Sequence, residues 1–378
     1  MLGISKLLCE KASPSDVIRY QRDVSRLPPD MLRFADDAKP IVVWNMTRQC
    51  NLHCVHCYAH AKDQPFEGEL NTEEAKTFID DLADFGAPVI LFSGGEPLIR
   101  KDLFELGAYA IEKGLRPVIS TNGTLIDEEA AIKIKEIGFQ YVGISIDGLP
   151  ETNDRFRVRE GAFDEAMRGL HLCNDNGVRT GIRFTLTRRN YKDLPEIMEL
   201  MEKEGVPRFC MYHLVYTGRG STLVDEDVPN EEKRDIIDFL FHKALEYERT
   251  GRDVELLTVD NHCDNVYLYL TLKKDDPERA EEVLELLKMQ GGNGSGYRIA
   301  DVDNVGNVHA DQFWSHYTLG NVRERKFGEI WTDMSDPVMY GLRHKSEVLK
   351  DRCGACKWQN ICGGFRVRAE AVYGDIWH

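Results

Sequence analysis

The chain has 378 residues, 42% of them hydrophobic and 30% charged, which is an ordinary composition for a soluble globular protein. Its net charge of −16 disfavours nucleic acid as a partner, because that binding depends on a basic surface. No apolar run is long enough to cross a bilayer and the first residues lack a signal-peptide pattern, so the sequence predicts a cytoplasmic protein with no membrane partner.

Short apolar segments alternate with amphipathic stretches in the first half of the chain. The predicted strands are, in order, IVVWNM, PVILFSGG, RPVISTNG, QYVGISIDG, RTGIRFTLT and RFCMYHLVY. The helix after the first strand is marked by Asn71 and Glu74 as a capping box and by Gly86 as its stop. This repetition predicts an α/β fold with a parallel sheet and crossover helices. The sheet is expected to be either open or curled into a partial or complete barrel.

The alternation stops after Gly220. Two longer helices are predicted near 230–250 and 277–290, with the strand-like segment DVELLTVD between them and a glycine-rich hinge, GGNGSG, after them. The segment YRIADVDNVGNVHADQFW alternates on both sides of a turn and predicts a hairpin. The predicted units are an N-terminal extension (1–40), the α/β unit (41–220), a helical connection (221–296) and a C-terminal domain (297–378).

Six of the ten cysteines fall into two tight clusters. The first cluster, at C-x3-C-x2-C spacing just after the first strand, consists of Cys50, Cys54 and Cys57. The second, at C-x2-C-x5-C spacing near the C-terminus, consists of Cys353, Cys356 and Cys362. Clustered thiols in a reducing compartment indicate metal or redox chemistry. Three thiolates can hold three irons of a [4Fe–4S] cluster and leave one iron open, whereas zinc would require a fourth Cys or His. The four scattered cysteines are Cys9, Cys173, Cys210 and Cys263.

Polar and glycine residues stand at the ends of the next three strands, in SGGEP (93–97), STNG (120–123) and SIDG (145–148). Carboxyl ends of parallel strands meet at one edge of a sheet, so these residues are predicted to line a pocket for a polar cosubstrate. Arginines concentrate in NDRFRVR and RFTLTRRN within an acidic chain. They indicate either solvated surface or a pocket for carboxylates, which the guanidinium fork binds well.

The cysteine triad, SGGEP and the polar strand ends together resemble the radical S-adenosylmethionine (SAM) enzymes. The resemblance implies a partial (β/α)6 radical SAM barrel over about 41–220, and a SAM-binding [4Fe–4S] cluster on the first cysteine triad. It also implies contacts to the adenine, amino, ribose and carboxylate groups of SAM. The residues that match those contact motifs are His56, Gly94, Gly95, Glu96, Pro97, Ser120, Thr121, Asn122, Asp147 and Arg157. The implied chemistry is SAM cleavage followed by hydrogen abstraction by a 5′-deoxyadenosyl radical.

The tail resembles the auxiliary iron–sulfur domain called SPASM, or its shorter twitch form. The resemblance implies a second [4Fe–4S] cluster on the C-terminal triad, with zinc as the alternative. The hairpin has His309 and Asp311 where the longer form has a cysteine, and Arg366 stands where another would follow Cys362. One auxiliary cluster is therefore expected. Its fourth ligand stays open between a non-cysteine residue, solvent, substrate and a cysteine in an extension that enzymes of this branch carry after the segment DIWH.

Nearly the whole chain resembles the radical SAM enzymes of the sirohaem-dependent haem-biosynthesis route, notably in KPIVVWNMTRQCNLHCVHCYAHA, NVHADQFWSHYTLGNVRERKFGEIW and CGACKWQNICGG. This implies loss of two acetate side chains from the iron-tetrapyrrole 12,18-didecarboxysiroheme, giving iron-coproporphyrin III, and an external electron donor such as a flavodoxin or ferredoxin. The alternatives are removal of propionates in haem d1 synthesis, peptide maturation, and a non-catalytic zinc or iron–sulfur module. Candidate substrate contacts are Arg219, His262 and Trp314. Candidate catalytic groups are His309 and His316.

Overall fold

The structure is a computed structural model that describes residues 1–9 and 39–378. Its centre is an eleven-stranded mixed sheet with the strand order β1-β8-β7-β6-β5-β4-β3-β2-β9-β10-β11. The strands are β1 (Leu2–Gly3), β2 (Ile41–Asn45), β3 (Val89–Ser93), β4 (Arg116–Thr121), β5 (Val142–Ser145), β6 (Thr180–Leu186), β7 (Arg208–His213), β8 (Glu255–Val259), β9 (Ile299–Val302), β10 (Asn307–His309) and β11 (Gly320–Asn321). Most of the expected N-terminal extension, 1–40, lies outside the described residues.

Helices connect the strands and cover the outside of the sheet. They are α1 (Ile4–Cys9), α2 (Thr72–Phe85), α3 (Leu103–Glu112), α4 (Glu128–Ile137), α5 (Pro150–Arg157), α6 (Ala162–Asp175), α7 (Leu194–Lys203), α8 (Asn230–Thr250), α9 (Cys263–Asp275), α10 (Pro277–Gln290), α11 (Phe327–Thr332), α12 (Pro337–Arg343), α13 (Lys345–Val348), α14 (Asp351–Gly354) and α15 (Arg366–Tyr373). Short 3-10 segments cover Pro97–Ile99, Tyr191–Asp193 and Gly218–Glu226.

The six strands predicted from the sequence are β2 to β7, and they pair in parallel in chain order. Helix α2 starts at the Asn71–Glu74 capping box and ends at Gly86, whose φ of 83° is the left-handed conformation that glycine adopts without a steric cost. The predicted hairpin also forms, as β9 and β10.

Two strands from outside the predicted α/β unit extend its sheet. Strand β8 lies parallel to β7, and β9 lies parallel to β2 at the other side. The sheet therefore contains eight neighbouring parallel strands, although the sequence pattern indicated six. Strand β1 pairs antiparallel with β8 and brings the N-terminal residue beside the sheet. Helix α9 follows β8 in a segment that the sequence pattern did not assign, and it packs against α10.

The two faces of the parallel strands have different surroundings. Alternate side chains such as Trp44, Phe92 and Phe184 are fully buried against the helices in the main core. On the opposite face, Val89, Val118 and Tyr141 form a separate apolar cluster, and all three line an internal cavity. Within residues 1–9 and 39–378, no helix combines the length and the apolar character that a membrane span requires.

Candidate functional site

Two adjoining cavities lie inside the curved sheet. The first lies at the carboxyl ends of the parallel strands. The second, which is larger, lies between the inner face of the strands and the C-terminal part of the chain. The cavities adjoin each other, because five residues line both: Arg183, Tyr212, Asp260, Gln312 and Phe313.

The first cysteine triad borders the first cavity. Cys50, Cys54 and Cys57 all line it, in a loop that follows β2. The backbone N–H of Leu52 donates to Cys50 Sγ at 3.4 Å, and Arg157 Nη1 donates to Cys54 Sγ at 3.4 Å. Such donors stabilise thiolates and tune iron–sulfur clusters, so this donor set fits the cluster implied by the sequence.

The cysteine loop is fixed against the end of β3 by a very close backbone approach. A Cβ on Gly95 would lie 2.1 Å from the carbonyl oxygen of Gln49, and one on Gly94 would lie 2.3 Å from that of Thr47. Gly95 N–H donates to Thr47 O at 2.6 Å and Glu96 N–H donates to Gln49 O at 2.9 Å. The two glycines are therefore required for the packing of the loop, and both also line the cavity.

Glu96 joins β3 to the end of β4 from behind the cavity wall. Its carboxylate accepts from Thr121 Oγ1 and from the backbone N–H of Asn122, both at 2.8 Å, and from that of Leu98 at 3.1 Å. The side chain is fully buried, and this burial raises the pKa of Glu96 to about 7. Glu96 thus supports Thr121 and Asn122, which line the cavity themselves.

A second buried carboxylate, Asp147, supports Arg157. The two side chains form an ion pair, and Asp147 Oδ1 also accepts from Thr185 N–H at 2.6 Å. His56 Nε2 lies 3.8 Å from Asp147, and its ring centroid is 4.6 Å from that of Phe156. Burial lowers the pKa of His56 to about 4, so it is a neutral imidazole at pH 7.

Most residues matched to SAM contacts meet in one place. Those that line the first cavity are His56, Gly94, Gly95, Ser120, Thr121, Asn122 and Arg157. Three others, Glu96, Pro97 and Asp147, are buried and do not line the cavity. The carboxylates of Glu96 and Asp147 hold neighbouring side chains and backbone groups, and their contact with a ligand stays a prediction.

The weaker candidates for substrate contact separate into two groups. Arg219 lines the first cavity and donates to the carbonyl oxygens of Cys54 at 2.7 Å and Ala61 at 2.9 Å, so it braces the cysteine loop. His262 lines the second cavity, with Nε2 3.2 Å from the amine of Met1. Trp314 is buried, belongs to neither cavity lining and donates to Glu370; its contact with a substrate stays a prediction.

The two histidines proposed as catalytic groups lie outside both cavity linings. His309 is fully buried, with Nδ1 2.8 Å from Tyr317 O and Nε2 3.5 Å from Asp303. His316 is exposed, and its Nε2 lies 3.1 Å from Glu370. Both rings make local polar contacts, and a catalytic role for either residue stays a prediction.

The second cysteine triad forms a separate polar centre near the C-terminus. Backbone N–H groups of Trp358 and Gly364 donate to the sulfurs of Cys356 and Cys362, both at 3.4 Å. Arg366, which replaces an expected cysteine, donates from Nη2 to Cys353 Sγ at 3.5 Å. These N–H···S contacts repeat the pattern of the first triad, so the donor set fits a cluster here as well.

Sequence spacing did not reveal a fourth thiol at this centre. Cys263, the first residue of α9, lies with its Sγ 3.8 Å from Cys362 Sγ, and this contact lowers the pKa of Cys263 to about 7. Among the described residues, no three His, Cys, Asp or Glu side chains converge closely enough to share a single ion. A [4Fe–4S] cluster does not require that convergence, because each thiolate binds a different iron.

Arg183 and Asp260 are the principal cavity residues that sequence reasoning did not select. The motif RFTLTRRN drew attention to the region of Arg183, but spacing could not separate a cavity arginine from the exposed Arg188 and Arg189. Asp260 gave no signal in the sequence. It has a left-handed backbone with φ of 68°, and its buried Oδ2 lacks a hydrogen-bond partner among the described residues.

The fold, the cysteine loop and the glycine approach define a radical SAM enzyme. The model of the radical SAM superfamily matches residues 44–201. The chain is 59% identical to Fe-coproporphyrin III synthase of Methanosarcina barkeri, over all of this chain and 96% of the relative. It is 43% identical to pre-heme d1 synthase of Dinoroseobacter shibae, over 93% of this chain and 87% of that one.

The chain therefore belongs to the radical SAM superfamily, whose members use SAM and a [4Fe–4S] cluster. Among solved structures it resembles Streptococcus suis SuiB bound to the precursor peptide SuiA, with a TM-score of 0.72 and 18% identity. That similarity covers 90% of this chain and 75% of SuiB. It confirms the expected fold class, a radical SAM barrel with a SPASM-type C-terminal domain.

Proposed function

We propose that this enzyme removes two acetate side chains from 12,18-didecarboxysiroheme and gives iron-coproporphyrin III. The observation that carries the proposal is the 59% identity, over the full length, to a relative named for synthesis of that product. The relative named for pre-heme d1 synthesis is 43% identical, so removal of propionates is the second candidate.

The first cavity is the proposed site of SAM and its cluster. Cys50, Cys54 and Cys57 would bind the cluster, and Arg157 would pair with the carboxylate of SAM. When bound, the cluster and SAM supply a 5′-deoxyadenosyl radical that takes hydrogen from an unactivated carbon. Gly94 and Gly95 let the end of β3 approach the cysteine loop, which holds that loop at the cavity wall.

The second cavity is the proposed tetrapyrrole site. Its walls carry apolar and aromatic side chains from the inner face of the strands, including Val89, Tyr141 and Tyr212, together with Phe313 and Phe365. Such walls suit a flat macrocycle, and the cations of the same cavity suit its carboxylates. The second cavity adjoins the first through five shared lining residues, which supports a substrate site beside the proposed SAM site.

The C-terminal triad is proposed to hold an auxiliary [4Fe–4S] cluster, in a domain that spans 297–378 and shares β9 with the barrel sheet of 41–220. Residues 221–296 connect the two. An auxiliary cluster could accept the electron left after C–C cleavage, and an external flavodoxin or ferredoxin would supply the first electron. Two tight clusters of cysteines support metal or redox chemistry in a reducing compartment such as the cytoplasm.

An anaerobic reconstitution tests the proposal. We expect about eight irons per chain, as two cubane clusters require, and both 5′-deoxyadenosine and iron-coproporphyrin III from SAM and 12,18-didecarboxysiroheme. C54A should lose SAM cleavage and about half the iron, whereas C356A should lose iron but keep the barrel cluster. Zinc in place of iron would exclude the chemistry. SAM cleavage without a tetrapyrrole product would exclude the substrate and favour a peptide.

A further inference from the structure

One cation in the cavities differs from the others in its bonding. The arginines that line the two cavities are Arg157, Arg183, Arg208, Arg219 and Arg298. Arg157 is paired with Asp147, and Arg208 lies 3.4 Å from Glu255. Arg219 and Arg298 donate to backbone carbonyl oxygens. Arg183 has neither a hydrogen bond nor an ion pair from its guanidinium to any described residue.

The strands on both sides of Arg183 leave space for its side chain. It lies on β6, opposite Ser145 of β5 and Cys210 of β7, and its guanidinium stacks 4.6 Å above the ring of Tyr212. A Cβ on Gly143 of β5 would lie 2.8 Å from Arg183 Cδ, so the glycine leaves the space that the arginine stem occupies. The side chain is therefore directed to the junction of the two cavities.

The nearby acids do not neutralise this cation. Asp260 and Asp311 are the carboxyls of the second-cavity lining. Burial raises the pKa of Asp260 to about 8, which leaves it mostly protonated at pH 7. Asp311 accepts from Ser295 Oγ at 2.6 Å and from Phe313 N–H at 3.0 Å. A cavity guanidinium without a paired acid favours an anion, and its fork geometry favours a carboxylate.

We infer that Arg183 binds a carboxylate of the tetrapyrrole and so positions the ring below the SAM site. This inference rests on the proposed function. SAM also carries a carboxylate, but Arg157 already faces the first cavity beside the cysteine loop. Arg183 instead belongs to the wall shared with the larger, more apolar cavity.

Binding measurements under anaerobic conditions test this role without turnover. The probes are iron-coproporphyrin III and its tetramethyl ester, which has the same ring without charged side chains, each titrated by the shift of its absorption band. Wild type should bind the acid more tightly than the ester. R183M should bind the acid about 10- to 100-fold more weakly, the loss expected for a hydrogen bond to a charged group. Its affinity for the ester should not change, which also shows that the variant is folded.

Two further variants make the test specific. R183K keeps the charge and should recover part of the affinity for the acid. R189M removes an exposed arginine that is paired with Glu226, and should match wild type with both probes. Equal affinity of R183M and wild type for the acid would overturn the inference while leaving the proposed function intact, and so would a loss confined to SAM binding. Failure of wild type to bind either porphyrin would overturn both.

Discussion

The approach of Gly95 to the cysteine loop gives the sharpest prediction about the stability of the site. In G95A the new Cβ would lie 2.1 Å from Gln49 O and 2.6 Å from the carbonyl carbon, so the loop after β2 must move away from the end of β3. That movement breaks two hydrogen bonds, from Gly95 N–H to Thr47 O and from Glu96 N–H to Gln49 O. Their loss costs about 0.5–1.5 kcal/mol each.

Overpacking adds about 1–3 kcal/mol. The free energy of unfolding should therefore fall by about 2–6 kcal/mol when both contributions are added. Because the same loop carries the first cysteine triad, G95A should also bind about four fewer irons than wild type, the content of one cubane cluster. The control is G114A: Gly114 has φ of 83° but no neighbour within 4 Å of a Cβ, so only the left-handed cost of about 1–2 kcal/mol applies.

Both quantities are measurable on anaerobically reconstituted protein, the first by urea unfolding followed by circular dichroism and the second by iron analysis. If G95A unfolds like G114A and keeps the full iron content, the close approach does not hold the cysteine loop and the reasoning fails.

Three other perturbations have defined outcomes. D147N should lower the free energy of unfolding by about 3–5 kcal/mol, because it leaves the buried Arg157 without its carboxylate. The double variant D147N/R157M should lose less free energy of unfolding than the two single variants lose in sum, and strict additivity would contradict the pairing. D260N should be more stable than wild type, by an amount that grows between pH 4 and 8. The carboxyl of Asp260 has a pKa of about 8 in the native state against 3.8 in the unfolded state, so the native state binds more protons over that window. The free energy of unfolding of the wild type therefore falls as pH rises. Urea midpoints at pH 5, 7 and 8.5 would show this, and an offset independent of pH would contradict it. In iron-free protein treated with an oxidant, peptide mapping should find a Cys263–Cys362 disulfide, which C263S abolishes; pairing of Cys362 with Cys353 instead would contradict the 3.8 Å contact.

The sequence by itself determined the parts of this protein that depend on local spacing. The six strands β2 to β7, the cap of α2 at Asn71 and the hairpin of β9 and β10 follow from periodicity and from turn chemistry. The cysteine triads and the glycines of SGGEP are local motifs as well. Their spacing specifies how a short loop can present thiols or approach another backbone, so the class of enzyme could be predicted without a structure.

Tertiary structure decided which of these residues meet and which only support others. Glu96 and Asp147 carry the same chemistry as a ligand-binding carboxylate, but their burial commits them to Thr121, Asn122 and Arg157. Pairing between distant segments also brought β8 and β9 into the barrel sheet, and helix α9 placed Cys263 beside Cys362. Spacing cannot encode such contacts, because they join residues that are tens to hundreds of positions apart through the packing of the whole sheet. For the same reason, only the structure distinguished Arg183 from the other arginines of its segment.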